Sequence, residues 1–221
     1  ARHDRAASWG RGEPVSVRYR GRSDDIDLDR TLEVLAERPH PAAEDVIVRE
    51  PARARRAVVL VVDVSGSMRG ERVRTAAATV GALAGELADD DLGVLAFWSD
   101  AVVLARPGQR VSVPALVERL VRVPAKGLTN VAFPLQLAAG QLADRPARDA
   151  RVVLLSDCVH NAGPDPRPLA ARLPRLDVLV DVSGEHDLTM ARALARAGHG
   201  RALRVARHRD VAPALSALFA G

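Results

Sequence analysis

The sequence predicts an α/β fold: a doubly wound, mostly parallel sheet with helices on both faces, one antiparallel edge strand and a short N-terminal extension. Two observations carry this prediction. Apolar runs without polar alternation, typical of strands buried on both faces, alternate with amphipathic segments of helical period. A fifth apolar run, 101–105, follows the second closely, which suits an antiparallel edge hairpin better than a crossover. The four uninterrupted runs are 58–62, 92–97, 152–155 and 176–182.

From residue 57 onward, apolar runs alternate with segments that have helical spacing. In the first such segment, Val73, Ala77, Val80 and Ala84 fall on one helical face. A more polar run, 201–205, reads as the last strand. The predicted helices are 72–87, 113–121, 132–142, 188–197 and 211–219. This order of strands and helices predicts a Rossmann-like sheet within residues 57–221.

Residues 1–56 are polar and rich in arginine, and we expect them to form an extension packed on the core. Alternation at 15–19 and the apolar centre of 45–49 each predict a short strand. Leucines at helical spacing within 27–35 predict a helix between them, and the prolines at 39 and 41 end it.

The composition predicts a soluble domain with an aliphatic core. Hydrophobic residues make up 48% of the 221 residues, whereas aromatic residues make up only 3%. The net charge of +4 is spread among alternating basic and acidic residues, so a nucleic-acid partner is disfavoured. No apolar run approaches the roughly 18 residues that span a membrane. The single cysteine, Cys158, fits a reducing compartment, and we expect a cytoplasmic location.

The segment VVDVSGSM, residues 61–68, leaves the first strand and presents Asp63, Ser65 and Ser67 at alternate positions. Gly66 and Gly70 do not give the spacing of a dinucleotide-binding loop, and no G-K-S/T of a phosphate-binding loop follows. A serine-hydrolase elbow needs G-x-S-x-G, and an aspartyl phosphatase needs a second acid where Ser65 stands. A plain helix N-cap remains the simple structural alternative.

A hard-cation site is the remaining chemical interpretation. Mg²⁺ takes about six oxygen ligands and usually keeps several waters beside one or two carboxylates. Thr129, in the sequence G-L-T-N before a helix, and Asp157, directly after the run 152–155, supply two more oxygen donors. Parallel strands end at one edge of a sheet, so we expect both residues near Asp63.

These three segments, in this order, resemble the metal-ion-dependent adhesion site of von Willebrand factor A (VWA) domains. The resemblance covers about residues 57–221 and implies a bound Mg²⁺ or Mn²⁺ with five ligand residues. Those residues are Asp63, Ser65, Ser67, Thr129 and Asp157. It further implies a non-catalytic module whose metal binds an Asp or Glu of a partner protein. Cys158 stands where the family has glycine, which implies a differently shaped following loop.

Residues 26–32, followed by a strand and by the basic stretch 53–56, are similar to CoxE-like VWA proteins. This resemblance implies a bacterial adaptor that works with a MoxR-type AAA+ ATPase in the maturation or remodelling of a target protein. The alternative is a VWA subunit of a chelatase-like metal-insertion complex. The sequence has no long acidic or proline-rich linker of the kind often seen before such chelatase domains.

Four residues are candidates for contact with the partner: Trp98, Asn130, Cys158 and His160. Three of them have a simpler interpretation, since Trp98 could pack in the core, Cys158 could be a small buried residue and His160 could face solvent. Four arginines between positions 201 and 209 fit a charged, protected edge strand. An acidic partner or nucleic acid for these arginines stays open as an alternative.

Overall fold

The computed structural model describes residues 14–19, 24–38, 42–51, 55–65, 71–87, 90–124 and 127–220. Ser67 and the basic residue Arg53 therefore lie outside the described residues. The chain forms two compact units, residues 1–54 and residues 55–221. None of the helices in the described ranges is both long and apolar enough to cross a membrane.

The smaller unit is a two-stranded antiparallel sheet with one helix. Strand β1 (Pro14–Arg18) pairs with β2 (Ile47–Pro51), and helix α1 (Leu28–Ala36) lies between them in the chain. Asp27 caps α1 through its Oδ1, which accepts the Arg30 amide at 3.4 Å. Its Oδ2 accepts the Ser16 hydroxyl, which lowers the pKa of Asp27. The second strand begins two residues later than predicted because 43–45 form a short 3₁₀ turn.

The larger unit contains a six-stranded sheet with the spatial order β5-β4-β3-β6-β7-β8. All neighbours pair in parallel except β4 and β5, which are antiparallel. The predicted doubly wound sheet and its antiparallel edge strand are confirmed. The strands are β3 (Ala57–Asp63), β4 (Asp91–Phe97), β5 (Ala101–Ala105), β6 (Ala150–Ser156), β7 (Leu176–Asp181) and β8 (Ala202–Val205).

Helices cover both faces of this sheet, and each face has its own aliphatic cluster. Along β3, Val59 and Val61 belong to one cluster, whereas Val58, Leu60 and Val62 belong to the other. Both faces of the strand are thus dry, which explains its uninterrupted apolar run. One face carries α2 (Glu71–Glu86), α3 (Val113–Arg122) and α7 (Val211–Phe219); the other carries α4 (Ala132–Leu142), α5 (Arg167–Ala170) and α6 (Leu188–Ala197).

The strand order reverses direction at β3. The chain runs from β3 outward to β4 and β5, and it then returns to the other side of β3 with β6. Crossovers that leave in opposite directions open a crevice between the carboxyl ends of the two strands, where α/β sheets bind ligands. The crevice of this sheet therefore lies between the ends of β3 and β6.

At the amino ends of the parallel strands, opposite the crevice, a buried carboxylate joins neighbouring elements. Asp177, fully buried near the start of β7, pairs with Arg175 at 3.0 Å and with Arg151 at 3.5 Å. The Arg151 guanidinium also stacks 4.5 Å from the centre of the Phe219 ring. Burial lowers the pKa of Arg151 to about 10, so it stays charged at neutral pH. These contacts link β6 and β7 to the end of the last helix.

Candidate metal centre

Asp63 ends β3 at the crevice, and the chain turns directly after it. The Ser65 amide donates to Asp63 Oδ1 at 2.9 Å, which closes a tight turn around the carboxylate. The Val64 amide donates to the Phe97 carbonyl at 2.7 Å, so the first residue of the loop is still held by the neighbouring strand. Asp63 and Ser65 are each only 7% exposed. The turn thus fixes a buried acid and a buried hydroxyl side by side.

Thr129 reaches this turn from the loop before α4. Its Oγ1 donates to Ser65 Oγ at 2.6 Å, which brings together two hydroxyls from segments 64 residues apart. The loop is fastened on both sides of Thr129. The Asn130 amide donates to the Trp98 carbonyl at 2.9 Å, and the Thr129 amide donates to Asn161 Oδ1 at 2.7 Å. The threonine hydroxyl is therefore positioned by backbone contacts that do not depend on it.

The end of β6 supplies the third side of the site. Ser156 Oγ donates to Asp63 Oδ2 at 2.6 Å and accepts the Cys158 amide at 2.9 Å. Asp157, half-buried, accepts the Val159 amide through Oδ1 at 3.0 Å. Its carbonyl accepts the Asp187 amide at 2.8 Å, which ties the loop to the start of α6. Asp157 is thus held at the same crevice as Asp63.

The electrostatics of the site favour a cation. Burial raises the pKa of Asp63 to about 6, although hydrogen bonds from Ser156 and Ser65 oppose this rise, and the nearby charge of Asp157 adds to it. Among the described residues, no basic side chain forms an ion pair with Asp63. A buried carboxylate beside a second acid, without a basic partner, is stabilised by a bound cation.

The donor set matches a hard cation. Two carboxylates and two hydroxyls, from Asp63, Asp157, Ser65 and Thr129, meet at one crevice, and oxygen ligands of this kind suit Mg²⁺ and Mn²⁺. A His- or Cys-rich site of the zinc type has no counterpart within the described ranges, where no three His, Cys, Asp or Glu side chains could share a metal ion. The residues present therefore fit the predicted metal. The predicted fifth ligand, Ser67, lies outside the described residues.

The four predicted partner contacts surround this crevice but differ in access. Trp98, at the end of β4, is half-buried and packs partly on the core. Asn130 is half-buried, and its Oδ1 accepts the Phe133 amide at 3.3 Å. The His160 Nδ1 accepts the Val131 amide at 3.3 Å. Cys158 is fully buried in the core cluster, so its side chain is not exposed at the surface.

Cys158 adopts a left-handed backbone conformation with φ of 61°. This conformation favours glycine and costs other residues about 1 kcal/mol or more. The residue therefore occupies the backbone region that suits the glycine expected here from the VWA resemblance, while its thiol fills core space. Burial raises the pKa of the Cys158 thiol far above its usual range, so the thiol stays protonated and acts as a packed apolar group.

Ser156 and Asn161 are functional candidates that the sequence did not reveal. Ser156 hydrogen bonds to Asp63, and Asn161 holds Thr129 through its side chain and through its amide, which donates to the Thr129 carbonyl at 3.2 Å. A serine at a strand end and an asparagine in a loop are both common. Their spacing in the sequence does not indicate that they contact Asp63 and Thr129, which lie 93 and 32 residues away. Their position after a strand that also presents Asp157 was the only available signal.

Residues 58–160 match the sequence profile of the von Willebrand factor type A domain. No curated protein matches the sequence. Solved structures with the same fold include the conserved hypothetical protein BatB from Bacteroides thetaiotaomicron. It shares 18% identity, with a TM-score of 0.63, over 74% of this chain and 97% of that one. These findings support a VWA domain in this chain.

Two further similar structures were determined with a metal. The manganese-loaded TRAP protein of Plasmodium vivax has 18% identity and a TM-score of 0.58, over 74% of this chain and 73% of that one. Proximal thread matrix protein 1 from the mussel byssus, with a zinc-occupied MIDAS motif, has 14% identity and a TM-score of 0.61. The match covers 74% of this chain and 47% of that one. At these identities, the likeness shows the fold alone.

Proposed function

We propose that this chain is a divalent-metal-dependent protein-interaction domain whose metal binds an acidic residue of a partner. One observation carries the proposal most directly: Thr129 Oγ1 lies 2.6 Å from Ser65 Oγ, beside the buried Asp63, at the crevice where the strand order reverses. The proposed ligands are Asp63, Ser65, Ser67, Thr129 and Asp157, the metal being Mg²⁺ or Mn²⁺.

The charge of the donor set explains why a partner would be needed. Hydroxyl ligands are neutral, so the proposed site offers at most the two charges of Asp63 and Asp157, and any contact made through water weakens their effect. A metal bound here supplies an electrophilic position for one more anionic oxygen. An Asp or Glu carboxylate from another protein is the natural ligand for that position, and the surrounding surface then supplies specificity.

Binding fits the local chemistry better than catalysis does. Ser65 accepts a hydrogen bond from Thr129, and Ser156 donates its own to Asp63. His160 directs Nδ1 at a backbone amide, so this nitrogen is unavailable as a general base. VWA domains are generally non-catalytic interaction modules, and the manganese and zinc in the two neighbours support a divalent metal at this place in the fold.

The partner machinery is proposed from the resemblance to CoxE-like proteins. Residues 26–32 and 53–56 carry that resemblance, and they belong to the extension, residues 1–56, that precedes the VWA domain at 57–221. We place the domain in the bacterial cytoplasm, where a MoxR-type AAA+ ATPase would use it as an adaptor to mature or remodel a target protein.

Metal binding tests the core of the proposal. Mn²⁺ binding to the purified chain, followed by electron paramagnetic resonance, should show one site that Mg²⁺ displaces. Asp63→Ala should abolish it. Asp144→Asn, which removes an exposed acid just after the end of α4, should leave it unchanged. Equal Mn²⁺ binding by wild type and Asp63→Ala would contradict the proposed site.

Partner binding tests the rest. Affinity capture from the source cell's lysate should be compared for wild type in Mg²⁺, wild type in chelator and Asp63→Ala in Mg²⁺. A protein captured only in the first condition supports a metal-bridged adaptor, and an AAA+ ATPase among such proteins supports the proposed machinery. The same proteins in all three conditions would show that binding uses another surface.

A further inference from the structure

A second feature opens at the edge of the sheet that carries the candidate metal centre. A cavity of about 570 Å³ lies where β7 and β8 end, and it is lined by residues that directly follow those strands. The lining residues are Ser183, Ala206, Arg207, His208 and Arg209. All except Ser183 follow β8, and three of the five carry basic side chains.

The charge of the two arginines is not neutralised locally. Arg207 and Arg209 are both exposed, and neither guanidinium forms an ion pair with any residue in the described part of the chain. Two acids close by in the chain, Asp210 and Asp181, accept backbone amides. Asp210 Oδ2 accepts the amides of Ala206 and Arg207 at 3.1 and 2.9 Å, and Asp181 Oδ1 accepts the Ser183 amide at 2.8 Å. The cavity therefore presents two arginine forks toward solvent.

The cavity is within reach of the metal centre along the same edge. In the sheet, β7 and β8 lie directly beyond β6, whose end carries Asp157. With strands about 4.8 Å apart, the end of β8 is roughly 10 to 15 Å from the ends of β6 and β3. The 3₁₀ turn His208–Asp210 also packs on α2, which begins at Glu71.

We infer that this cavity binds a second acidic side chain of the same partner segment that gives a carboxylate to the metal, an inference that rests on the proposed function. An extended peptide advances about 3.3 Å per residue, so two acids three to five residues apart would span the gap. Arginine binds carboxylates through paired hydrogen bonds, which suits this role. Among the described residues that line the cavity none is aromatic, which favours an acidic peptide over stacked nucleic-acid bases.

A peptide array tests the spacing directly. Immobilised Gly/Ser peptides carry one Asp and one Glu, placed at every separation from one to eight residues, beside peptides with Asp alone. The labelled chain is applied in Mg²⁺ and in chelator. In Mg²⁺, binding should peak at separations of three to five and exceed the single-acid peptide about tenfold, as expected for one added charge-assisted contact.

Two double variants distinguish binding by the cavity arginines from a general effect of positive surface charge. Arg207→Ala with Arg209→Ala should reduce the spaced peptides to the single-acid signal and leave that signal unchanged. Arg192→Ala with Arg196→Ala, which removes the same charge from exposed positions on α6, should change neither.

The possible outcomes distinguish a failure of the cavity proposal from a failure of the proposed metal function. A flat spacing profile, or a peak that survives Arg207→Ala with Arg209→Ala, overturns the second acidic contact but keeps the metal function if single-acid binding needs Mg²⁺. A peak that needs the arginines but not Mg²⁺ supports the cavity and refutes the metal bridge. No binding to any peptide overturns both. A single-stranded oligonucleotide could also compete with the spaced peptides. If it displaces them from wild type but does not bind the Arg207→Ala, Arg209→Ala variant, the cavity is reassigned to phosphate binding.

Discussion

Replacing Asp63 by Asn should stabilise the metal-free fold at neutral pH while it removes metal binding. Burial raises the pKa of Asp63 to about 6 from 3.8, a difference equivalent to about 3 kcal/mol. The folded-state pKa lies above the unfolded value. At a pH between these two values, the folded protein therefore binds more protons than the unfolded chain does. Stability therefore falls as the pH rises through about 6, and the full cost of the charge is present at neutral pH.

Asparagine removes that charge at a modest cost in hydrogen bonds. Its Oδ1 can still accept the Ser65 amide, but its amide nitrogen would donate to Ser156 Oγ, which already accepts the Cys158 amide. The Ser156 hydroxyl proton then loses its acceptor, which costs about 1 kcal/mol. The net expectation is that the metal-free variant is about 2 kcal/mol more stable than wild type at about pH 7.5.

Urea unfolding in chelator measures this difference. Between about pH 7.5 and pH 5, protonation of Asp63 should raise the wild-type stability by about 1.4 kcal/mol relative to the variant, so the gap narrows in acid. Excess Mg²⁺ should stabilise wild type but not Asp63→Asn. A variant less stable than wild type in chelator at about pH 7.5 would refute the reasoning, because it would mean that the carboxylate is already compensated without metal.

Three further predictions address the site and its scaffold. Thr129→Val should weaken Mn²⁺ binding about tenfold or more, since it removes the hydroxyl beside Ser65 but keeps the backbone contacts; Thr129→Ser should retain binding in the same titration. Asp177→Ala should lower the free energy of unfolding by about 3 kcal/mol in urea melts, because it leaves the half-buried guanidinium groups of Arg151 and Arg175 without their buried carboxylate. His199→Gly should raise the free energy of unfolding by about 0.5–1 kcal/mol, because His199 has a φ of 57° just after α6, a conformation that favours glycine. Thermal or urea unfolding that shows no increase in stability would contradict this.

Much of the fold could be predicted because its strands are buried on both faces. The run 58–62 is apolar throughout because its side chains enter two different clusters, and the short step from 97 to 101 permits only a hairpin. Helix α5 was missed, since its four residues are too few to show a helical period. The 3₁₀ turn at 43–45 displaced the start of β2 for a similar reason.

The candidate ligands were predicted from local spacing and strand ends, and they remain a prediction as a metal-binding set. Asp63, Ser65 and Ser67 follow a strand at alternate positions, and Asp157 follows another. The residues that position them, Ser156 and Asn161, could not be predicted in the same way. Their hydrogen-bond partners depend on which strands become neighbours, and a local pattern does not contain that information.

The amino-acid sequence by itself determined the alternation of strands and helices, the aliphatic core and the oxygen-rich turn after β3, because each depends on the period or identity of nearby residues. Tertiary structure alone decided that Thr129 donates to Ser65, that Asp63 becomes a buried acid with a raised pKa, and that the arginines after β8 lie along the same edge. These properties depend on the order of the strands and on the exclusion of water between segments far apart in the chain. They therefore arise only when the whole sheet has formed.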